Sequence, residues 1–312
     1  MSKPLHTSTT PNLSDAPRPR IAAPLIDGWR TIADALPAAV TTREEMLVYR
    51  ATAVERSTTL EAIRQAHNLV TEDLSPDVTV FRSPGVESRL RVVFFHGGGL
   101  IAGSRLDGAD VLARHAAALQ LEVWSAEYPL VPETPHDRIV EHLVGVVEQA
   151  AVDGLPVVIA GQSAGGGLAA SVALECRDRG IPFAGSLLIC PMLDRRDTVS
   201  AAQFAEDPSW SRASNESCWG AALSGSASTP PGERTDLHGL PPTFLDVGSA
   251  EIFRDSVTGF AGALWAAGNQ AELHVWSGAF HASDCVVEDA VVSEEAHRAH
   301  ERWLRRLIDD AL

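Results

Sequence analysis

Between Leu155 and Ala173 the chain reads LPVVIAGQSAGGGLAASVA, and its other segments are organised around that stretch. Leu155 to Ala160 is a short apolar run rich in β-branched residues, which predicts a buried strand. Gly161-Gln162-Ser163-Ala164-Gly165 follows and fits G-x-S-x-G. Beyond it Leu168, Ala169, Val172, Ala173 and Cys176 recur at helical spacing. Strand, tight turn and helix in that order predict an elbow. Ser163 there takes a strained backbone conformation, and its hydroxyl projects above the sheet at the positive end of the helix. Glycines two residues to either side leave room for the chains to pass closely. The pattern is short and Ser-Gly turns are common, so partners elsewhere must give it meaning.

The 312 residues suffice for one large core or two modest ones, with a hydrophobic share of 45% and few aromatics. A net charge of −16 argues against nucleic acid and against a basic patch for an anionic membrane. No stretch reaches the roughly 18 apolar residues that span a bilayer, and residues 1–20 contain no apolar core of a signal peptide. Cys176, Cys190, Cys218 and Cys285 are scattered without a C-x-x-C pair, as expected of buried thiols in a reducing cytoplasm. A homodimer is left open.

Residues 1–20 are polar and Pro-rich, which predicts a disordered tail. Residues 21–68 are expected to be helical, with capping boxes at Thr41-Thr42-Arg43-Glu44-Glu45 and at Thr58 with Glu61. Preceding the first strand, these helices are free to lie across one end of the sheet as a lid. Residues 69–312 then alternate. Strands are expected at Val78–Phe81 and Leu90–Phe95, joined by the turn Ser83-Pro84-Gly85, and later at Leu121–Ala126, Ala184–Cys190, Thr243–Val247 and Ala271–Trp276. Helices are expected at 107–120, 135–152, 256–267 and 288–312. That rhythm predicts an α/β fold, a parallel sheet with helices on both faces. The insertion at 194–238 breaks it. This segment is rich in Ser, Ala, Gly and Pro, carries Trp210 and Trp219, and is expected to form a second lid element with those tryptophans at the substrate pocket.

A serine hydroxyl needs a base to take its proton, and a histidine–carboxylate pair supplies one. On such a sheet the partners lie on loops at the carboxyl ends of strands. Glu251 follows the strand 243–247, and His281 follows the strand 271–276 in a Gly-containing loop. Asp255 competes with Glu251 for the acid and could instead cap the following helix. His297 and His300 on the closing helix, and His115, His136 and His142 on or beside helices, are expected at the surface. His96-Gly97-Gly98-Gly99 ends the strand 90–95, and side-chain-free residues there let backbone N–H groups converge on a developing oxyanion. Gly98 and Gly99 with Ala164 form the expected donor set, and His96 orients the loop. A phosphate cradle would need G-x-x-x-x-G-K-[ST], or G-x-G-x-x-G with a ribose-binding acid, and neither occurs. Absence of H-E-x-x-H or clustered Cys/His spacing predicts no metal and no cofactor.

His96–Gly99 ahead of Gly161–Gly165, the segment Tyr128-Pro129-Leu130-Val131-Pro132-Glu133 and the late Pro241-Pro242 strand together resemble the hormone-sensitive-lipase-like branch of the α/β-hydrolases. That branch holds bacterial carboxylesterases, lipolytic enzymes and lactone hydrolases. The resemblance covers about residues 75–312. It implies an α/β-hydrolase fold with an eight-stranded, mostly parallel sheet, and a helical cap from the N-terminal helices and the insert. It also implies a Ser163–His281–Glu251 triad acting on a small ester or lactone. Two departures stand out. Glu251-Ile252-Phe253-Arg254-Asp255 replaces the usual Asp-Pro-Leu-x-Asp, and Phe280-His281-Ala282-Ser283 replaces the common His-Gly-Phe order. The first looks like the subset that includes monoterpene lactone hydrolases. The competing readings are a small-ligand receptor on the same fold and an amide hydrolase. Serine at 163 argues against the dehalogenases and epoxide hydrolases of this fold, which would carry Asp there.

Overall fold

In the computed structural model, which describes residues 17–56 and 58–310, the most apolar runs become the centre of a sheet. The first half of the chain forms α1 (Ile26–Ala35), α2 (Arg43–Arg56), α3 (Leu60–His67), β1 (Val70–Ser75), β2 (Val78–Arg82), β3 (Arg91–Phe95), α4 (Ala109–Leu119), β4 (Glu122–Ala126) and α5 (His136–Ala150). The second forms β5 (Val157–Gln162), α6 (Ala164–Arg179), β6 (Gly185–Ile189), α7 (Val199–Gln203), α8 (Arg212–Leu223), β7 (Thr243–Gly248), α9 (Arg254–Ala266), β8 (Ala271–Trp276), α10 (Ser283–Val286) and α11 (Val291–Asp310). Eight strands pair in the order β1-β2-β4-β3-β5-β6-β7-β8. Only β2 pairs antiparallel, with β1 and with β4.

Period-two alternation sorts each central strand between two apolar layers. Val93, Phe95, Val157 and Ile159 face one layer, with Ile139, Leu143 and Val147 of α5 and Leu168 and Val172 of α6. Val92, Phe94, Val158 and Ala160 face the other, with Leu112 and Ala116 of α4 and Trp303 and Leu304 of α11. The elbow strand β5 is buried along its whole length. It delivers its last residue to the middle of the sheet's carboxyl edge.

Two expectations for the strands change. The segments ending at Phe81 and Phe95 are not neighbours: β2 lies between β1 and β4, and β3 lies between β4 and β5. Strand β1 has no counterpart in the sequence reading. Its residues VTEDLS are mostly exposed because it is an edge strand, so no apolar run marks it.

The N-terminal helices and the 194–238 segment clamp onto one another. Ser214 Oγ accepts from Val40 N at 2.9 Å, Ser217 Oγ donates to Thr41 O at 3.0 Å, and Trp29 Nε1 donates to Asp207 Oδ2 at 3.3 Å. Glu45 caps α2 by accepting from Thr41 N and Thr42 N. The cap of α3 is Thr59, not Thr58, and it accepts from Ala62 N. Arg50 of α2 reaches out of the cap, donating to Ile101 O and Val131 O at 2.7 Å each and pairing with Glu133. Of the tail expected to be disordered, residues 1–16 lie outside the described residues. Arg18 stacks over Phe204 of the 194–238 segment.

Four histidines expected at the surface are buried: His115, His136, His297 and His300. His115, His297 and His300 lie where α4 and α11 face one another, and His136 at the start of α5 packs against Trp219 of α8. Only His142 remains partly exposed. His136 opens α5 and contacts Ser228 Oγ through Nδ1 at 2.7 Å. Burial lowers its pKa to about 4, against a small opposing pull from Asp137. The folded state therefore refuses a proton that the unfolded chain accepts near 6.5. The stability tied to His136 is present above that value and is lost as pH falls towards 4, by on the order of 3 kcal/mol in full. Urea midpoints at pH 7.5 and pH 5 check this. His136→Gln should lose less stability over that interval than the wild type, and an equal loss would contradict it.

Candidate active site

Where β5 turns into α6, Ser163 adopts φ 56° and ψ −119°. A residue with a Cβ is strained there, and only a fully determined surrounding holds it. Here its N–H donates to Ile189 O at 2.9 Å, while its carbonyl accepts from Met192 N at 2.8 Å and Gly167 N at 3.0 Å. Gly165 is required by close approach, since a Cβ at that position would overlap the main chain at Phe95 and His96. With Ala164 as the first residue of α6, its N–H is one that the helix leaves without an internal partner.

Ser163 Oγ lies 2.8 Å from His281 Nε2, and His281 Nδ1 lies 2.6 Å from Glu251 Oε2. Three residues separated by up to 118 positions thus form one hydrogen-bonded chain. With Nδ1–H donating to the carboxylate, Nε2 accepts from the serine hydroxyl. Glu251 is fully buried, and its other oxygen accepts from Gly248 N at 2.7 Å. Burial pushes its pKa up. The opposing pulls come from His281, by charge and hydrogen bond, and from the Gly248 N–H. Phe253 meets the His281 ring edge-on at 5.0 Å and walls it on one side.

Asp255 is turned elsewhere. Its Oδ2 accepts from Ser200 N at 2.7 Å and its Oδ1 pairs with Arg254. It therefore caps α7 in the 194–238 segment, not its own helix α9, which has no side-chain cap.

The glycine loop sits opposite the elbow. Gly98 and Gly99 take φ 109° and 64°, and a Cβ on Gly99 would strike the indole of Trp210. His96 is fully buried, stacked on Tyr128 with ring centroids 4.0 Å apart. Its Nδ1 donates to Gly97 O at 2.7 Å, and Tyr128 Oη donates to its carbonyl at 2.8 Å. These bonds orient the loop.

A cavity of about 280 Å³ opens above Ser163 and His281, lined by Gly97, Gly98 and Gly99 and roofed by Ile32, Leu36, Tyr49, Ala53, Trp210 and Val286. Of the two tryptophans expected at the pocket, Trp210 lines this cavity. Trp219 does not: it is buried on α8 against His136, with ring centroids 5.4 Å apart. Sequence reasoning missed Ile32 with Leu36 and Tyr49 with Ala53. Both pairs are spaced four apart, the first ending just past α1 and the second on α2, and that spacing was the available signal.

The profile of a family described as alpha/beta hydrolase fold matches residues 92–284. Carboxylesterase NlhH of Mycobacterium tuberculosis is 33% identical over 282 residues, covering 82% of this chain and 88% of its own. Esterase LipW from Mycobacterium marinum superposes with a TM-score of 0.77 at 26% identity, over 94% of this chain and 98% of that one. An esterase of the bacterial hormone-sensitive lipase family gives a TM-score of 0.79 at 25% identity, over 92% and 99% of the two chains.

Proposed function

This chain belongs to the α/β-hydrolase family, in its hormone-sensitive-lipase-like esterase branch, and from that premise we propose that it hydrolyses carboxylic esters through Ser163, His281 and Glu251. The observation that carries the assignment of residues is the unbroken chain of hydrogen bonds, 2.8 Å and 2.6 Å long, from hydroxyl to imidazole to buried carboxylate. Ser163 Oγ attacks the ester carbonyl as its proton passes to His281 Nε2. Glu251 holds the ring in the productive tautomer and stabilises the imidazolium. The tetrahedral oxyanion is met by N–H groups of Gly98, Gly99 and Ala164, fixed before the charge develops. His281 then protonates the leaving alkoxide, and a water deprotonated by the same nitrogen releases the acyl group.

Substrate size follows from the roof of the cavity. At about 280 Å³ it lies at the small end of ligand sites, and its roof is mostly apolar. The substrates are short to medium acyl esters, of about two to eight carbons, and alkyl-substituted lactones. The test is a panel of p-nitrophenyl esters of increasing chain length with ε-lactones, run beside emulsified long-chain triglyceride. Soluble esters should turn over fastest, and faster turnover of the emulsion would overturn the size assignment. A fluorophosphonate should add covalently to Ser163; a receptor without catalysis would leave the reagent unreacted.

A further inference from the structure

The histidines buried between α4 and α11 converge in a way that packing alone does not account for. We infer that His115, His297 and His300, none of them part of the Ser163–His281–Glu251 line, form a binding site for one zinc-class divalent cation. His297 and His300 stand three apart on α11 and so share a face, which meets His115 of α4. All three are at least 96% buried. Each offers a ring nitrogen, and the three atoms lie within 4.8 Å of one another. The ring centroids are 5.9 to 6.4 Å apart, and the rings meet at steep angles. Zinc holds imidazole nitrogens at about 2.0–2.1 Å in a tetrahedron, so nitrogens about 3.4 Å apart are needed. Each ring then has to move by about 1 Å or less.

The other nitrogens are arranged as metal ligands require. His300 Nε2 donates to Asp246 Oδ2 at 2.7 Å, and His297 Nε2 donates to the carbonyl of Asp284 at 3.2 Å. Those bonds fix the tautomers and leave Nδ1 of both rings with a free lone pair. Among the described residues, Nδ1 of His297, Nδ1 of His300 and both nitrogens of His115 are buried without a hydrogen-bond partner. A core of three packed imidazoles has no use for so many unpaired atoms, whereas a cation satisfies three at once. Burial holds His115 well below the usual imidazole range and His297 at about 4, so both are neutral at pH 7, the form that ligates. Asp246 supplies negative charge beside the site through its bond to His300, and the fourth position is left for a water or other small ligand. Bound there, the ion ties α11 to α4 and serves the fold, not the chemistry at Ser163.

The test uses untagged protein made in zinc-supplemented medium and desalted before elemental analysis, with cobalt(II) substitution to read geometry. The wild type should carry about one zinc per chain, and its cobalt form should absorb as a tetrahedral complex. His115→Gln and His297→Gln should each lose the metal, while His281→Gln should keep it. Zinc well below one per chain in the wild type overturns the inference, whether or not the variants fold. So does metal retained by both core variants, or metal lost with His281.

Discussion

Ser163→Ala is expected to lower ester hydrolysis by about 10⁴ to 10⁶-fold with the fold intact. The substitution removes only Oγ, the atom 2.8 Å from His281 Nε2. The main-chain bonds to Ile189, Met192 and Gly167 that impose the elbow are untouched. What remains is the oxyanion loop and the binding cavity, which alone give only a small residual rate over water. Initial rates on a short p-nitrophenyl ester, with a urea denaturation curve for each protein, check the expectation. Retention of more than about a tenth of the wild-type rate with an unchanged curve would show that the nucleophile lies elsewhere.

Glu251→Gln is expected to lower kcat by about 10² to 10⁴-fold. An amide in this position can donate to His281 Nδ1, which turns the ring to the tautomer that carries its proton on Nε2 and cannot accept from Ser163. The carboxylate is fully buried, so removing its charge also removes the cost that raises its pKa, and the variant should stay folded. Asp255→Asn is the control. It alters a bond to Ser200 N at the start of α7 and a pair with Arg254, so it should cost about 1 kcal/mol or less in stability and little in rate. Measuring kcat and Tm for both variants separates the roles. A dead Asp255→Asn beside an active Glu251→Gln would reverse them.

The proposed catalytic line was legible because each member sits just past a strand, and a strand that is buried announces itself by composition. β5, β7 and β8 mark where Ser163, Glu251 and His281 must stand, and the glycine run after β3 marks the opposite wall. Less was legible where solvent, not composition, decides. β1 is an edge, so Val70–Ser75 shows polar residues on both faces. The surface expectation for His115, His297 and His300 followed from their polarity. Their burial depends on α4 and α11 meeting across a gap of 171 residues, 120–290, which no local spacing encodes. Trp219 was assigned to the pocket on size alone. The helical register of α8 turns it towards α5 instead, and the pocket roof comes from α1, α2 and Trp210.

Arg50 gives the cap a second meaning. Its guanidinium holds the carbonyls of Ile101 and Val131 and the carboxylate of Glu133, and Ile101 lies two residues beyond Gly99. The latch of the door is thus fastened to the frame of the glycine loop. Arg50 adds a side-chain brace from α2 to a loop that Ile101 N and Ala102 N, both donating to Gly98 O, already hold from within. The same α2 that roofs the cavity with Tyr49 and Ala53 therefore also carries, next to Tyr49, the arm that reaches the backbone just past the glycine loop.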